Sequence, residues 1–244
     1  MTGTPILLAL MLLSLLLVSP SATSANTPAE QGALIDRREQ RVMATRTFLN
    51  AHPDLKFRNE GWEAYQAGNY ELAIQHFRKA SGYADKVSQA MMAEMFWQGR
   101  GVPIDRAMAY AWADMSAERG YPRFIQLREQ YWGRLDETER ARAVQEGRAL
   151  LPEYADAVAR PRMAESIKKA KQRMRRYAPY ASRPKEVRVP DGSGGMVTIP
   201  SHRFYDSKFW DPVEYQAWQD AIWKELPKGQ VDVGDPEQVA PTRP

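Results

Sequence analysis

The sequence predicts a mainly α protein: a short α-solenoid of helix-turn-helix repeats, followed by a long basic helix and a small C-terminal module of β-hairpin plus helix. Three observations predict it. Two stretches, 57–80 and 92–120, place small and large apolar residues at helical spacing on either side of a glycine turn, and their registers lie 31 residues apart. Between 160 and 190, eleven basic residues stand against two acidic ones, a net +9 that leaves −5 for the rest of a chain whose total is +4. Two short runs, EVRV at 186–189 and MVTI at 196–199, flank the glycine-rich DGSGG, as in a β-hairpin.

The elements follow in chain order. Residues 6–18 form an apolar run of 13 broken only by Ser14, followed by Pro20 and the small residues SATSA. That layout predicts a secretory signal peptide over 1–25, cleaved after Ala25, since 13 residues are short for a permanent span. The chain is therefore expected to be exported, and periplasmic in a Gram-negative source. Residues 29–50 read as a charged helix with Leu34, Ile35, Val42, Met43 and Leu49 on a sparse apolar face, capping one end of a stack that extends to 150.

In the 57–80 stretch, Gly61, Tyr65, Gly68, Tyr70, Ala73, Phe77 and Ala80 supply the small and large positions. In the 92–120 stretch, Ala93 and Phe96 share one helix face, Gly99 and Gly101 end that helix, and Asp105 is placed to cap the next. Ala109, Trp112, Ser116 and Ala117 then make an i, i+3, i+7, i+8 stripe that Gly120 stops. This second unit resembles the Sel-one-like repeat, and the first resembles its relative, the tetratricopeptide repeat. Gly68 reaches Ala80 in 12 residues whereas Gly99 reaches Ser116 in 17, and the extra residues, within RGVPID, are the longer loop of the Sel-one-like form. The resemblance covers about 57–150. It implies an α-solenoid that offers a face to a protein or peptide partner, and it implies no catalysis. Relatives linked to β-lactam binding or hydrolysis are rich in disulfides, and this chain has no cysteine, so that activity is not carried over.

Residues 121–132, with Phe124, Leu127 and Tyr131 as the stripe, and 136–150, opening on Asp136 with Glu139 three residues on, read as a degenerate repeat whose second helix starts with a capping box. Residues 154–177 read as a helix kinked at Pro161 within a basic segment over 151–182. The C-terminal module spans 183–226: the hairpin, then a helix capped by Asp211 with Pro212 at its first position and Tyr215, Trp218, Ile222 and Leu226 on one face. Residues 227–244 are poor in apolar side chains and are expected to be disordered.

The search for chemistry yields little. Without cysteine there is no thiolate, disulfide or sulfur-ligated metal, and His52, His76 and His202 lack metal-ligand spacing. Ser201, His202 and Asp206 spell a hydrolytic trio on paper, but without a nucleophile elbow, and residues this close in sequence seldom meet in triad geometry. The DGSGG loop lacks the Lys-Ser/Thr ending of a phosphate loop. No catalytic residue, metal or cofactor is therefore expected. Seven aromatics between 204 and 223 read either as the core of a small module or as a sugar-binding platform. Lys168, Lys169, Lys171, Arg173, Arg175 and Arg176 are candidate contacts to an anionic lipid or glycan, or simply a solvated helix face. Arg58, Glu63, Gln66, Glu94 and Gln98, on the first helices of the units, are candidate exposed contacts to a protein partner. Nucleic acid is not expected as a partner of an exported chain.

Overall fold

The structure is a computed structural model that describes residues 37–177, 184–190 and 194–224. The expected signal peptide, the expected disordered tail, the start of the 29–50 helix and the tip of the hairpin lie outside the described residues.

Helices dominate, and most start where a short polar side chain can accept from a free backbone N–H. α1 (Arg37–Met43) and α2 (Arg46–Ala51) take the place of the single helix expected over 29–50. The break falls at Thr45, whose hydroxyl donates to the Val42 carbonyl at 2.7 Å and accepts from Phe48 N at 3.2 Å, ending one helix and capping the next. α3 (Pro53–Gln66) and α4 (Tyr70–Ser81) form the first repeat pair, with Asn69 capping α4. α5 (Lys86–Gln98) and α6 (Arg106–Ala117) form the second, capped by Asp85 and Asp105. Gly99 closes α5 at φ 71°. The connection is three residues in the first pair and seven in the second, so the second turn is the longer one, by four residues where the sequence spacing gives five.

Close approach of small residues holds these pairs. A Cβ on Gly61 would lie 2.7 Å from the ring of Phe77, so α3 and α4 meet at a distance that only glycine permits. Gly101 joins one unit to the other: it has φ 72°, and a Cβ there would lie 2.5 Å from the carbonyl carbon of Tyr70. Between the two glycines, Arg100 lies over the rings of Tyr65 and Tyr70 of the first unit and donates to the Tyr65 hydroxyl. Ala73, Phe77, Ala93, Ala109, Trp112 and Ala117 are all buried in one core, and Ala80 is buried as well.

α7 (Pro122–Trp132) turns Phe124, Leu127 and Tyr131 into that core. α8 (Glu137–Tyr154) begins with the capping box: Asp136 accepts from Glu139 N, and the Glu139 carboxylate accepts from Asp136 N. It packs on α6 through a small cluster of Ala143, Ala107 and Leu135, and its outer surface mixes charged side chains with exposed Val144 and Leu151.

α9 (Asp156–Tyr177) is separated from α8 at Ala155, which is extended at φ −63° and ψ 149°. The helix runs on through Pro161, so the interruption expected at that proline lies six residues earlier. The hairpin pairs β1 (Glu186–Pro190) with β2 (Met196–Pro200), antiparallel, with Arg188 opposite Thr198. Two single-turn helices, α10 (Ser201–Phe204) and α11 (Ser207–Trp210), and then α12 (Pro212–Lys224) complete the described chain.

A second core brings the first and last described segments together. Val42, Phe48, Ala51 and Leu55 pack with Met163, Ile167 and Ala170 of α9, Val189 and Ile199 of the hairpin, and Phe204, Phe209, Trp210 and Tyr215. The N-terminal helices were expected to cap the repeat stack. Instead their apolar face is buried mainly against the C-terminal segments, where Val42 and Phe48 leave water among α9, the hairpin and the aromatics of 204–215, while Met43 also touches the repeat core. Five of the seven aromatics at 204–223, namely Phe204, Phe209, Trp210, Tyr215 and Trp223, are buried, so they are core and not a sugar platform.

Candidate functional site

The polar residues of the repeat units converge on a seam that the chain fills itself. Asp85 caps α5 by accepting from Ser88 N at 3.0 Å and receives Arg58 Nη1 at 2.9 Å on its other oxygen. The Lys86 ammonium, 1% exposed, reaches the Met115 carbonyl at 3.0 Å, Glu118 at 2.7 Å and Asp156 at 3.1 Å. Arg119 grips Asp156 with Nε at 2.6 Å and Nη2 at 2.9 Å, and Nη2 also donates to the carbonyl of Ala84 at 2.9 Å. Ala84 has φ 66°, a conformation that costs an L-residue about 1–2 kcal/mol, and the bond from Arg119 helps to hold it. The Tyr121 hydroxyl donates to Asp220, which Arg160 also reaches at 3.1 Å. Burial pushes the Asp156 carboxyl up, but Arg119 and Lys86 outweigh it and hold the group below the usual range. Burial lowers Lys86, partly offset by Asp156.

Deeper along the same seam, Tyr215 OH donates to Asp54 Oδ2 at 2.6 Å, while Asp54 Oδ1 is buried with no hydrogen-bond partner. Burial raises the Asp54 carboxyl to about 7, with neighbouring Asp85 adding to the rise and the Tyr215 bond opposing it. His52 is fully enclosed: Nδ1 lies 2.8 Å from the Phe48 carbonyl and Nε2 2.8 Å from the Phe209 carbonyl. A neutral imidazole can donate to only one of them, yet burial lowers the group to about 4 against the pull of both carbonyls.

This arrangement corrects two expectations. Arg58 and Glu94 were read as exposed partner contacts, but they are 2% and 7% exposed. Arg58 is turned inward by its ion pair with Asp85, and Glu94 sits in a helix buried on nearly every side. Glu63 and Gln66 are exposed and Gln98 half-buried. Of the repeat-signature residues, Tyr65, Phe96, Gly99, Gly101 and Asp105 line the turns half-buried. Gly61 is buried in the α3–α4 contact, and Gly68 and Gly120 are exposed turn residues with positive φ. Ser201, His202 and Asp206 are not assembled: Ser201 Oγ donates to the Pro184 carbonyl, Asp206 accepts from Lys208 N at 3.1 Å, and His202 is exposed. His76 is half-buried beside Glu60 at 3.1 Å.

The basic arm divides in two. Arg160 and Arg162 bind inward, to Asp220 and to the Gly82 carbonyl. Beyond them Met163, Ile167 and Ala170 dock α9 on the second core, while Lys168, Lys169, Arg173, Arg175 and Arg176 are exposed and Lys171 half-buried. Lys169 pairs with Glu165 at 3.5 Å.

A wide concavity stays open among the described residues. It lies between α4 and the α8–α9 junction, holds about 750 Å³, and is walled by Phe57, Ile74, Tyr83 and Tyr154, with Arg78, Lys79 and Arg162 as its cations and Glu153 as its acid. The Lys79 ammonium is 5.6 Å from the centre of the Phe57 ring. Burial raises the Tyr154 phenol, with Glu153 adding to the rise and Arg78 opposing it, so it remains a neutral donor. Sequence reasoning missed this groove because its walls come from α3, α4, the turn after α4 and the α8–α9 junction. No local spacing signals that they meet. Among the described residues, no group of three or more His, Asp or Glu could hold a metal ion, and no helix is long and apolar enough to cross a membrane.

No protein-family model matches the chain, and no curated protein matches it. Among solved structures, the chain is similar to the crystal structure of a protective antigen present in uropathogenic Escherichia coli strains and displaying an SLR fold, at 19% identity and a TM-score of 0.39. The match covers 54% of this chain and 27% of that one, so the chain spans about a quarter of that structure's length. The repeat architecture described above rests on the helix pairs themselves.

Proposed function

We propose that this chain is a non-catalytic interaction scaffold, exported to the cell envelope, that holds a protein or peptide partner in the groove between α4 and the α8–α9 junction. One observation carries the reading. The seam between the repeat units and the C-terminal helices is closed by internal ion pairs, whereas this groove is open, about 750 Å³, and walled by aromatic and cationic side chains. A stack of paired helices fixes such walls rigidly and so keeps the cost of ordering on binding low. Cross-linked pulldown from envelope extracts tests the reading: one protein should be recovered reproducibly, and recovery of none in repeated trials would refute it.

A second reading is favoured by α9, whose outward face is basic while its inward face is anchored. On that reading the arm contacts an anionic lipid or glycan surface. Cosedimentation with anionic vesicles or envelope polymer should weaken with salt. Retention that survives charge reversal of Lys168, Lys169, Arg175 and Arg176 would rule it out.

A further inference from the structure

We propose that the groove beside α4 recognises an acidic, extended segment of a partner protein, seating one aromatic or aliphatic side chain against the wall formed by Phe57, Ile74 and Tyr83. The inference rests on the scaffold reading and adds the chemistry of the partner. Charge complementarity selects the occupant. Arg78, Lys79 and Arg162 face the groove against a single acid, Glu153, and neither Arg78 nor Lys79 has a carboxylate partner among the described residues. Arg162 is fixed in place because its Nη1 donates to the Gly82 carbonyl and, at 3.3 Å, to that of Glu153. Its guanidinium is thus held at the groove wall and does not have to be ordered when a carboxylate arrives.

The apolar part of the site is equally specific in kind. Ile74 is 7% exposed and Phe57 is half-buried with Lys56 and Lys79 near its ring, so an apolar side chain entering here meets a flat wall edged by cations. Each exposed ion pair alone changes affinity only a few-fold. The anchor side chain therefore supplies most of the affinity, and the cations supply the preference for acidic sequence. The groove lies on the second helix of the first unit and the start of α9, beside the seam that the chain fills itself, and Tyr83 lines both.

The test uses the full chain and a fluorescently labelled, end-capped peptide that alternates Glu with Phe and Leu. Anisotropy should give a dissociation constant on the order of tens of micromolar, and the same peptide with Gln for Glu, or with Ala for Phe and Leu, should bind about tenfold more weakly or worse. The double variant Arg78→Glu, Lys79→Glu should lose about tenfold or more. Both residues are exposed in the last turn of α4, so the variant should stay folded with a melting temperature lowered by about a few degrees. Reversal of Lys168 and Lys169 on the outer face of α9 should change nothing beyond a small long-range effect. The proposal is overturned if the acidic peptide does not bind, if the Gln peptide binds equally well, or if the double variant binds as the wild type does. Pulldown separates this from failure of the scaffold reading: equal recovery of one partner by wild type and double variant removes the groove and keeps the scaffold, whereas recovery by neither removes both.

Discussion

Adding a single methyl group should have three different outcomes at three glycines of this chain. At Gly61 the new Cβ would stand 2.7 Å from the ring of fully buried Phe77. The gain of about 1 kcal/mol in helix propensity is then outweighed by overpacking, for a net loss of about 1–2 kcal/mol. At Gly101 the obstacle is backbone, Tyr70 at 2.5 Å, and φ is 72°, so Gly101→Ala should cost more, about 2–4 kcal/mol. Gly147, inside α8, has nothing within 4 Å, and Gly147→Ala should stabilise by about 0.5–1 kcal/mol. Thermal or urea unfolding of the three variants checks the order. Residue-scale electrostatics gives a second expectation. Asp54 binds its proton more tightly in the native state, up to about 7, so its contribution to stability is greatest below about pH 4 and is lost as pH rises towards 7. His52, lowered to about 4, acts oppositely: its contribution is present above about 6.5 and is lost as pH falls towards 4. The two oppose one another between about pH 4 and 6.5. Asp54→Asn keeps an acceptor for Tyr215 and removes one titration, so its melting temperature should climb with pH across that window more steeply than the wild type's. An identical slope would contradict the assignment.

At the scale of single elements, local rules account for most boundaries. The capping box of α8 was legible as Asp136 and Glu139, and both of its bonds are present. Asp136→Ala should cost about 1 kcal/mol, measurable by chemical denaturation. No interruption falls at Pro161, because a proline in the second turn of a helix removes only one bond, whereas the extended backbone at Ala155 stops α8 outright. α9 shows how one helix carries two roles. Ile167 is fully buried and Lys168 beside it is exposed. Ile167→Ala should cost about 2–4 kcal/mol, whereas Lys168→Ala should stay within about 0.5 kcal/mol. Differential scanning calorimetry of the pair distinguishes an anchored amphipathic helix from a solvated arm, in which both changes would be silent.

On the scale of the molecule, the first and last described segments are parts of one core. His52 touches the Phe209 carbonyl, Asp54 receives Tyr215, and Ser166 donates to the Ala51 carbonyl at 3.0 Å. Ending the chain after residue 177 should therefore uncover Val42, Phe48 and Ile167, lower the melting temperature of what remains and raise binding of a hydrophobic dye. An unchanged transition would mean that the hairpin and its helices are an independent module.

What the sequence determined by itself is local. Helix spacing, glycines at positive φ and short polar caps act within a few residues, so the two repeat pairs, their unequal turns and the presence of the hairpin follow from neighbours alone, as at Gly99, Asp105 and Asp136. Tertiary structure alone decided which charges are buried and which surface stays open. Arg58 meets Asp85 across 27 residues, Lys86 meets Glu118 across 32, and Asp54 meets Tyr215 across 161, so nothing in the chain around Arg58 distinguishes it from exposed Glu63. The same holds for the groove, whose cations on α4 and α9 become neighbours only when α9 folds back across the repeats. Burial of an ion or exposure of an aromatic depends on what packs against it, and that partner lies far along the chain.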